Sequence, residues 1–193
     1  VPKAHMEVIK MHKQGYRIIM IGHAGHPEVE GTVGQVDSEI NVIEKPAQVW
    51  DLEVENPEKV AYVSQTTISY DDAKGLIQEL KKRFPLVAEP KKADICYATQ
   101  NRQDAVKELA RRVDLVLVVG SKSSSNSNRL REVAEGAGTK AYLLDDAGEI
   151  NPDWFKGIER VGITAGASAP EILVDEIVEK LKTLGADEVE TMA

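Results

Sequence analysis

The stretch Leu115-Val-Leu-Val-Val-Gly-Ser-Lys-Ser-Ser-Ser-Asn126 contains the pattern that decides the fold: an apolar run, then a loop of small and polar residues. An amphipathic helical pattern follows from Ser127 to about Ala137. A short apolar run bounded by such a loop is typical of a strand that is buried on both faces. The same order occurs earlier, where Arg17-Ile-Ile-Met-Ile-Gly22 precedes the loop His23-Ala-Gly-His-Pro-Glu28. This repetition predicts an α/β fold with parallel sheets.

The same alternation predicts the remaining elements. Further strands are expected at Asn41-Val-Ile-Glu44, Val60-Ala-Tyr-Val-Ser64, Asp94-Ile-Cys-Tyr-Ala-Thr99, Ala141-Tyr-Leu-Leu144 and Val161-Gly-Ile-Thr164. Further helices are expected from Val1 to Gly15, from Ser69 to about Phe84, from Asn101 to Val113, and after an opening Pro170. Ser69 and Asp72 have the spacing of a capping box at the start of the second of these helices.

Two similar parallel-sheet units are expected, one on each side of the least regular part of the chain. Pro85 and Pro90 bracket a short stretch there, and Lys91-Lys92 follow. A boundary at this point is typical of such punctuation. It divides the chain into an α/β domain over residues 1–90, a second over residues 91–185 and an acidic tail over residues 186–193.

Charge and composition exclude several classes of function. The 193 residues include 24 Lys and Arg against 32 Asp and Glu, a net charge of −8 that repels polyanions and anionic lipid surfaces. We therefore expect neither a nucleic acid nor a membrane as a partner. No apolar run reaches the roughly 18 residues that a transmembrane helix needs, and no signal-peptide pattern begins the chain, which indicates a cytoplasmic protein. The single cysteine, Cys96, excludes an intrachain disulfide and any metal site built from several thiolates of this chain alone.

Four loops are expected at the carboxyl ends of strands, where open parallel sheets bind their ligands. They are Gly22-His-Ala-Gly-His-Pro-Glu28, Ser64-Gln-Thr-Thr-Ile-Ser69, Gly120-Ser-Lys-Ser-Ser-Ser-Asn-Ser-Asn128 and Thr164-Ala-Gly-Ala-Ser-Ala-Pro170. Free N–H groups at helix N-termini attract phosphate, and Ser, Thr and Asn side chains add neutral donors. The loops therefore predict a diphosphate pocket, because local donors of this kind can act even in a chain of negative net charge.

Most of these loop residues also have a purely structural interpretation. Four neighbouring residues could simply start a helix, although a single cap needs only one residue: Ser124, Ser125, Asn126 and Ser127. Capping alone could explain Ser168. Thr66, which follows a strand, could be a strand or turn residue.

His26 and Glu28 lie on either side of Pro27, which restricts where the pair can point. A histidine can donate to phosphate and a glutamate can pass protons, so the pair suits acid–base chemistry on an alcohol or a phosphate ester. The pair could equally be plain surface residues. Cys96, within a predicted strand, could be a small buried apolar residue.

The loops belong to five long motifs that occur in a fixed order. They are Ile21-Gly-His-Ala-Gly-His-Pro-Glu-Val-Glu-Gly31, Ser64-Gln-Thr-Thr67, Asp94-Ile-Cys-Tyr-Ala-Thr-Gln-Asn-Arg-Gln103, Gly120-Ser-Lys-Ser-Ser-Ser-Asn-Ser-Asn-Arg-Leu130 and Thr164-Ala-Gly-Ala-Ser-Ala-Pro170. In this order and spacing the chain resembles, over nearly its whole length, the hydroxymethylbutenyl diphosphate reductases, also called the LytB family. The resemblance implies an enzyme of the last step of non-mevalonate isoprenoid biosynthesis.

The resemblance also implies an architecture and a reaction. Members of the family form a trefoil of three α/β domains around a 4Fe-4S cluster. The diphosphate of their substrate, 4-hydroxy-3-methylbut-2-enyl diphosphate (HMBPP), is held at the centre. These oxidoreductases remove the allylic hydroxyl by two one-electron reductions and protonation, which gives isopentenyl and dimethylallyl diphosphate. By resemblance, the electron donor is a ferredoxin or a flavodoxin. A cluster held by only three cysteines leaves one iron open to bind the substrate oxygen as a Lewis acid.

The motifs carry family roles onto particular residues of this sequence. By resemblance, Cys96 is one of three cluster thiolates, and His26 binds the diphosphate. Glu28 is the acid that organises proton delivery to the substrate hydroxyl, and Thr66 belongs to the same hydroxyl and water network. The donors to the diphosphate are Ser124, Ser125, Asn126 and Ser168.

The chain departs from the family in its ligand set. In the family, two further cluster cysteines and two more substrate histidines lie in an N-terminal domain, which ends upstream of the position that matches Val1. We therefore interpret the sequence as the second and third trefoil domains, lacking the N-terminal domain. One thiolate cannot hold a cubane cluster, so we expect these residues alone to carry no stable cluster and little or no reductase activity.

Two other functions remain open from the residues themselves. A cluster-free diphosphate or phosphosugar binding module would need only the hydroxyl-rich loops, with Cys96 in the core. A hydrolase or isomerase could instead use His26 and Glu28 without a metal. Replacement of Cys96 by Ser would leave either of these functions intact, whereas it would damage a cluster enzyme.

Overall fold

The computed structural model describes residues 2–90 and 97–192 of the chain. The chain divides into two compact units, Val1–Gln100 and Asn101–Ala193. Each unit contains its own three-stranded parallel sheet with helices packed on it. The predicted fold class, two similar α/β units with parallel sheets, is therefore confirmed.

The elements follow one another as the alternating pattern predicts. Those within residues 2–90 are α1 (Pro2–Lys13), β1 (Arg17–Ile21), α2 (Pro27–Val33), β2 (Asn41–Ile43), α3 (Gln48–Asp51), β3 (Val60–Ser64) and α4 (Tyr70–Arg83). Those within residues 97–192 are α5 (Tyr97–Ala110), β4 (Leu115–Val119), α6 (Ser125–Gly136), β5 (Lys140–Leu144), β6 (Val161–Ala165) and α7 (Glu171–Thr183). The division between the units falls within α5.

The sheet of the first unit has the order β2-β1-β3, so β1 is its central strand, and four of the five residues of β1 are buried. Side chains of β1 alternate between two clusters: Ile19 packs with Leu76 of α4, and Met20 packs with Val8 of α1. Burial of each such aliphatic side chain stabilises the fold by about 1.5–3 kcal/mol. The unit thus has a hydrophobic layer on each face of its sheet.

The second unit repeats this arrangement with the strand order β5-β4-β6. Leu117 of β4 packs with Ile177 of α7 on one face, and Val118 packs with Leu130 of α6 on the other. All five residues of β4 are buried, as expected for a central parallel strand.

Strand register brings the loops of interest together within each unit. Ile21, the last residue of β1, pairs with Ser64, the last residue of β3. In the second unit Val119 of β4 pairs in the same way with Ala165 of β6. The loops that follow these strands therefore start side by side at one edge of each sheet.

Helix α4 begins as its sequence predicts. Ser69 is its N-cap, and the Ser69 hydroxyl accepts a hydrogen bond from the backbone N–H of Asp72 at 3.3 Å. The predicted capping of this helix is confirmed.

The strand predicted over Asp94-Ile-Cys-Tyr-Ala-Thr99 is wrong in the part that the structure describes. Residues 91–96 lie outside the described residues, and Tyr97–Thr99 form the first turn of α5. Thr99 and Gln103, one helical turn apart, are both buried. A short apolar run fits a strand and a buried helical turn equally well, and here the helical period of the buried side chains decides.

Two helix starts also differ from the sequence interpretation. The last two residues of the predicted loop His23–Glu28 already belong to α2. At the other end of the chain, Pro170 is the N-cap of α7 rather than its first residue, and the helix begins at Glu171. Within residues 2–90 and 97–192, no helix combines the length and hydrophobicity needed to cross a membrane.

Candidate functional site

In the first unit, the turn from β1 into α2 places His26 at the N-cap of the helix. Its Nδ1 accepts a hydrogen bond from the backbone N–H of Glu28 at 3.1 Å, in the place where a Ser or Asp side chain usually caps. Pro27 follows at the start of the helix, where a missing N–H costs nothing. Because Nδ1 accepts, the hydrogen of the neutral imidazole lies on Nε2, which makes Nε2 a donor.

The structure brings the side chains of Glu28 and Thr66 into direct contact. Glu28 Oε1 accepts from the backbone N–H of Thr66 at 2.9 Å, and Glu28 Oε2 accepts from Thr66 Oγ1 at 3.1 Å. These two residues are 38 positions apart in sequence. They meet because β1 and β3 are neighbours and end at the same level. Thr66 is therefore a turn residue whose hydroxyl is engaged by a carboxylate.

Gln65, which is only 1% exposed, ties the two loops to each other. Its Oε1 accepts from the backbone N–H of His23, and its Nε2 donates to Thr67 Oγ1, both at 3.1 Å. Glycine is required opposite it, because a Cβ on Gly22 would lie 3.0 Å from Gln65 Cβ and 2.8 Å from Val29. A buried glutamine that is hydrogen-bonded at both Oε1 and Nε2 holds the loops that carry Glu28 and Thr66 in place.

A second carboxylate closes the turn from the other side. Glu44 Oε1 accepts from the backbone N–H of Ala24 at 2.6 Å, and Glu44 Oε2 lies 3.7 Å from His23 Nδ1. Gly25, the next residue, has a φ of +78°, a conformation that favours glycine. His23 therefore supports the loop, which leaves His26 as the histidine at the helix end.

In the second unit, the Ser-rich loop after β4 leads into α6. Ser124 is the N-cap of this helix, and its Oγ accepts from the backbone N–H of Ser127 at 3.3 Å. The capping alternative is thus correct for Ser124. Ser125 and Asn126 are the first two residues of the helix, in the turn whose N–H groups have no partner within the helix itself.

Asn126 is the most unusual side chain of this loop. It is 9% exposed, yet neither its Oδ1 nor its Nδ2 has a hydrogen-bond partner within the part of the chain that the structure describes. A buried amide without partners costs about 1–3 kcal/mol. Capping does not explain this residue, because Ser124 already caps the helix.

Lys122 lies in the same loop but is held by an acidic partner. Its Nζ donates to Glu149 Oε1, and Glu149 Oε2 accepts from the backbone N–H of Asp145 at 3.0 Å. The hydrogen bond with Glu149 raises the pKa of Lys122, and the hydrogen bonds from Lys122 and Asp145 lower the pKa of Glu149. Asn128 Nδ2 donates to the carbonyls of Lys122 and Ser124, at 2.7 and 3.0 Å, and fixes the loop backbone.

Ser168 is exposed in the loop between β6 and α7. Helix α7 has no side-chain cap hydrogen bond, so capping does not account for this serine. The loop starts beside the Ser-rich loop, because Gly166, the first residue after β6, donates its backbone N–H to Val119 O at 2.8 Å. Ser168 thus shares a sheet edge with Ser124, Ser125 and Asn126.

Cys96 lies outside the described residues, so its surroundings are not part of the site geometry. Among the residues that are described, no three His, Cys, Asp or Glu side chains lie together in a way that could hold a metal ion. The sequence contains one cysteine, whereas a cubane cluster needs several thiolates. The ligands of this chain alone therefore do not fit an iron–sulfur cluster.

Three residues that hold these loops were not singled out in the sequence: Gln65, Glu44 and Asn128. The signal that could have identified Gln65 is the glycine at the end of β1, because a glycine in a strand often marks close approach of another group. No comparable local signal marks Glu44 or Asn128, whose partners are backbone groups of the folded loops.

Comparison with known proteins agrees with the motifs. The sequence model of the family described as LytB protein matches residues 1–182. The 4-hydroxy-3-methylbut-2-enyl diphosphate reductase of Methylibium petroleiphilum is 59% identical over 193 residues, and that of Aromatoleum aromaticum is 60% identical over 192 residues. These matches cover 100% of this chain but only 59% and 62% of the two curated relatives.

A solved structure gives the same result for the fold. The E-1-hydroxy-2-methyl-but-2-enyl-4-diphosphate reductase from Plasmodium falciparum has a TM-score of 0.88 and 34% sequence identity, over 94% of this chain and 57% of that one. The family match spans nearly the whole sequence, and it agrees with both relatives and with this structure. The chain therefore belongs to the LytB protein family.

Proposed function

We propose that this chain supplies two α/β domains of a 4-hydroxy-3-methylbut-2-enyl diphosphate reductase, a cytoplasmic iron–sulfur oxidoreductase with a third, N-terminal domain in a trefoil. In this proposal its substrate is HMBPP, and its electron donor is a ferredoxin or a flavodoxin. Support comes from the family membership and from the names of the relatives. The structural observation that carries the proposal is the buried, unpartnered amide of Asn126 at the N-terminus of α6.

The α6 end has the chemistry expected of a diphosphate site. The helix is 12 residues long, and its first turn presents backbone N–H groups and the positive end of the helix dipole. Asn126 Nδ2 is a donor with no acceptor among the residues that the structure describes, and a phosphate oxygen would satisfy it. Ser124, Ser125 and Ser168 add neutral donors at the same sheet edge. For His26 of the first unit, the proposal keeps the role of a diphosphate ligand that the family resemblance implies.

The Glu28–Thr66 pair has the geometry of a proton relay. Removal of an allylic hydroxyl as water requires a proton at the leaving oxygen, and Thr66 Oγ1 already donates to Glu28 Oε2 at 3.1 Å. When Glu28 is protonated, its O–H can donate to Thr66 Oγ1, and the threonine hydroxyl hydrogen is then available to a substrate oxygen. In the proposal, Glu28 holds the proton and Thr66 passes it.

Cys96 has a different place in the proposal. It would be one of the cluster thiolates, and the remaining ligands would come from outside these 193 residues. No reaction step at the cluster is assigned to the residues of this chain. What the chain contributes by itself is diphosphate binding and the position of one proton.

Iron and acid-labile sulfide analysis tests the proposal. The purified chain should contain almost no iron, whereas coexpression with the unmatched part of the Methylibium petroleiphilum reductase should give a brown complex that reduces HMBPP. The matched variant is Cys96→Ser, which should abolish the colour of the complex but leave pyrophosphate binding unchanged. Near-stoichiometric iron in the chain alone, or a colourless and inactive complex, would contradict the proposal. If the complex with unmodified Cys96 is colourless but still binds pyrophosphate, the result favours a cluster-free binding module.

A further inference from the structure

Ser127, the third residue of α6, is completely buried, yet its hydroxyl does not hydrogen-bond. It is 0% exposed, and Ser127 Oγ has no partner among the residues described by the structure. An unpartnered buried hydroxyl is usually unfavourable compared with an alanine at the same place. The Ser127 side chain must therefore be explained by the space that it fills.

That space lies between two glycines. A Cβ on Gly120 would lie 2.3 Å from Ser127 Oγ, and a Cβ on Gly166 would lie 2.2 Å from the same atom. Both separations are far shorter than the roughly 3.5–4.0 Å of van der Waals contact between heavy atoms. The serine hydroxyl is therefore wedged against two backbone segments that only glycine lets approach it.

The two glycines begin the two loops of the second unit that carry the proposed diphosphate donors. Gly120 directly follows β4 and leads to Ser124 and Asn126, whereas Gly166 directly follows β6 and leads to Ser168. We propose that Ser127 is a positioning residue for the diphosphate site, an inference that rests on the proposed function. The Ser127 hydroxyl, wedged between Gly120 and Gly166, sets the distance between the two donor loops.

The spacing matters because donors on separate loops must meet one ligand at the same time. A displacement of about 1 Å is enough to lose hydrogen bonds that depend on alignment. Removal of this one oxygen atom lets the loops shift by a fraction of this distance, which should weaken the hydrogen bonds to the ligand without abolishing them. Ser127 then acts through Ser124, Asn126 and Ser168 and needs no contact with the ligand.

A glycine-to-alanine substitution with a compensating second change tests the wedge. Gly166→Ala places a methyl group on Ser127 Oγ and should weaken the binding of inorganic pyrophosphate, measured by calorimetry, at least about tenfold. Adding Ser127→Ala removes that oxygen and leaves the new Cβ 3.4 Å from the Cβ of residue 127, an ordinary contact. The double variant should therefore bind pyrophosphate within about twofold of Ser127→Ala alone.

Two further glycines provide matched controls. Gly120→Ala should not be rescued by Ser127→Ala, because the φ of +155° strains alanine there and the two Cβ atoms would be only 3.0 Å apart. Gly136→Ala, at the other end of α6, meets no atom within 4 Å among the described residues and should bind pyrophosphate like the unmodified chain.

Ser127→Ala on its own keeps the test decisive if Gly166→Ala fails to fold. Its backbone amide NMR signals should shift at both Gly120 and Gly166–Ser168, with pyrophosphate binding weakened about threefold. Unchanged signals in the Gly166–Ser168 loop, or a double variant as weak as Gly166→Ala, would overturn the wedge. Failure of the unmodified chain to bind pyrophosphate would instead contradict the proposed function, and the amide shifts would still decide the role of Ser127.

Discussion

The loops at the carboxyl ends of the strands differ between the two units in how their polar side chains are hydrogen-bonded. In the first unit, Glu28 takes both donors of Thr66, and the Gln65 amide bridges two loops, so the side chains satisfy one another. In the second unit, the Asn126 amide is buried with no partner within residues 97–192. Under the proposed function, the difference teaches that a site for holding a proton can be complete within the protein, whereas a site for an anion leaves its donors for the ligand.

The largest expected effect is a loss of pyrophosphate binding in the second unit, on substitution of Asn126. Asn126→Asp keeps the side-chain shape but replaces two neutral polar atoms by a carboxylate that repels phosphate. Pyrophosphate binding should weaken about a hundredfold, because a like charge and two lost donor hydrogens oppose the anion. Calorimetric titration measures this loss.

The control for that substitution carries the same change elsewhere in the second unit. Asn151 Oδ1 accepts from the backbone N–H of Asp153 at 2.9 Å, and an aspartate can make the same bond. Asn151→Asp should leave pyrophosphate binding within about twofold. Equal losses in the two variants would mean that net charge, rather than the Asn126 amide, controls binding.

The next effect concerns the first unit, where exchange of the Glu28 carboxylate for an amide should reduce the stability of β1. Glu28→Gln can accept only one of the two hydrogen bonds from Thr66, so the free energy of opening β1 should fall by about 1.5–3 kcal/mol. Native-state hydrogen exchange of the β1 amides measures it, since each unit is then followed separately. Glu30→Gln, on an exposed position of the same helix, should change this free energy by less than about 0.5 kcal/mol.

A smaller effect of opposite sign would sharpen the contrast. Asn126→Leu removes both unpartnered amide atoms and should stabilise β4 against exchange by about 1 kcal/mol, while pyrophosphate binding weakens by about tenfold. Stability and function would then trade off at this position, as is common for binding sites. A destabilised β4 would show that the Asn126 amide is not as unsatisfied as the geometry indicates.

The smallest effect is a pH dependence. The Lys122 hydrogen bond lowers the pKa of Glu149, so the ion pair stabilises the fold above the ordinary glutamate pKa and loses this contribution as the pH falls through the lowered value. Lys122→Met should raise the pKa of Glu149 toward its ordinary value, which an NMR titration of its carboxylate would show. An unchanged pKa would mean that the Asp145 hydrogen bond alone accounts for the shift.

Much of this fold could be predicted from local sequence. The runs 18–21 in β1 and Leu115–Val119 in β4 are apolar without interruption, which is typical of central parallel strands. The Ser69 cap depends on residues three apart, and it too was predicted correctly. The strand predicted over Tyr97–Thr99 is wrong, because a run this short contains too little periodicity to separate a strand from a helical turn.

The site could be predicted only in part. Polar residues at strand ends are visible in the sequence, but the pairing of Glu28 with Thr66 depends on which strands are neighbours. The bond partners of Gln65 depend on the same strand order. That the Asn126 amide is left without a partner is a property of the packed loop, and no pattern of residue types contains it.

The Lys122–Glu149 pair has one more consequence, for how an anion would be attracted to this loop. Because the lysine charge is already neutralised, the pull on a diphosphate at α6 would come from peptide and amide dipoles, whose fields act over short distances. Added salt screens long-range forces between full charges much more than close contacts with oriented dipoles. Capture of the diphosphate would then change little with ionic strength, and selectivity among anions would follow their shape more than their charge.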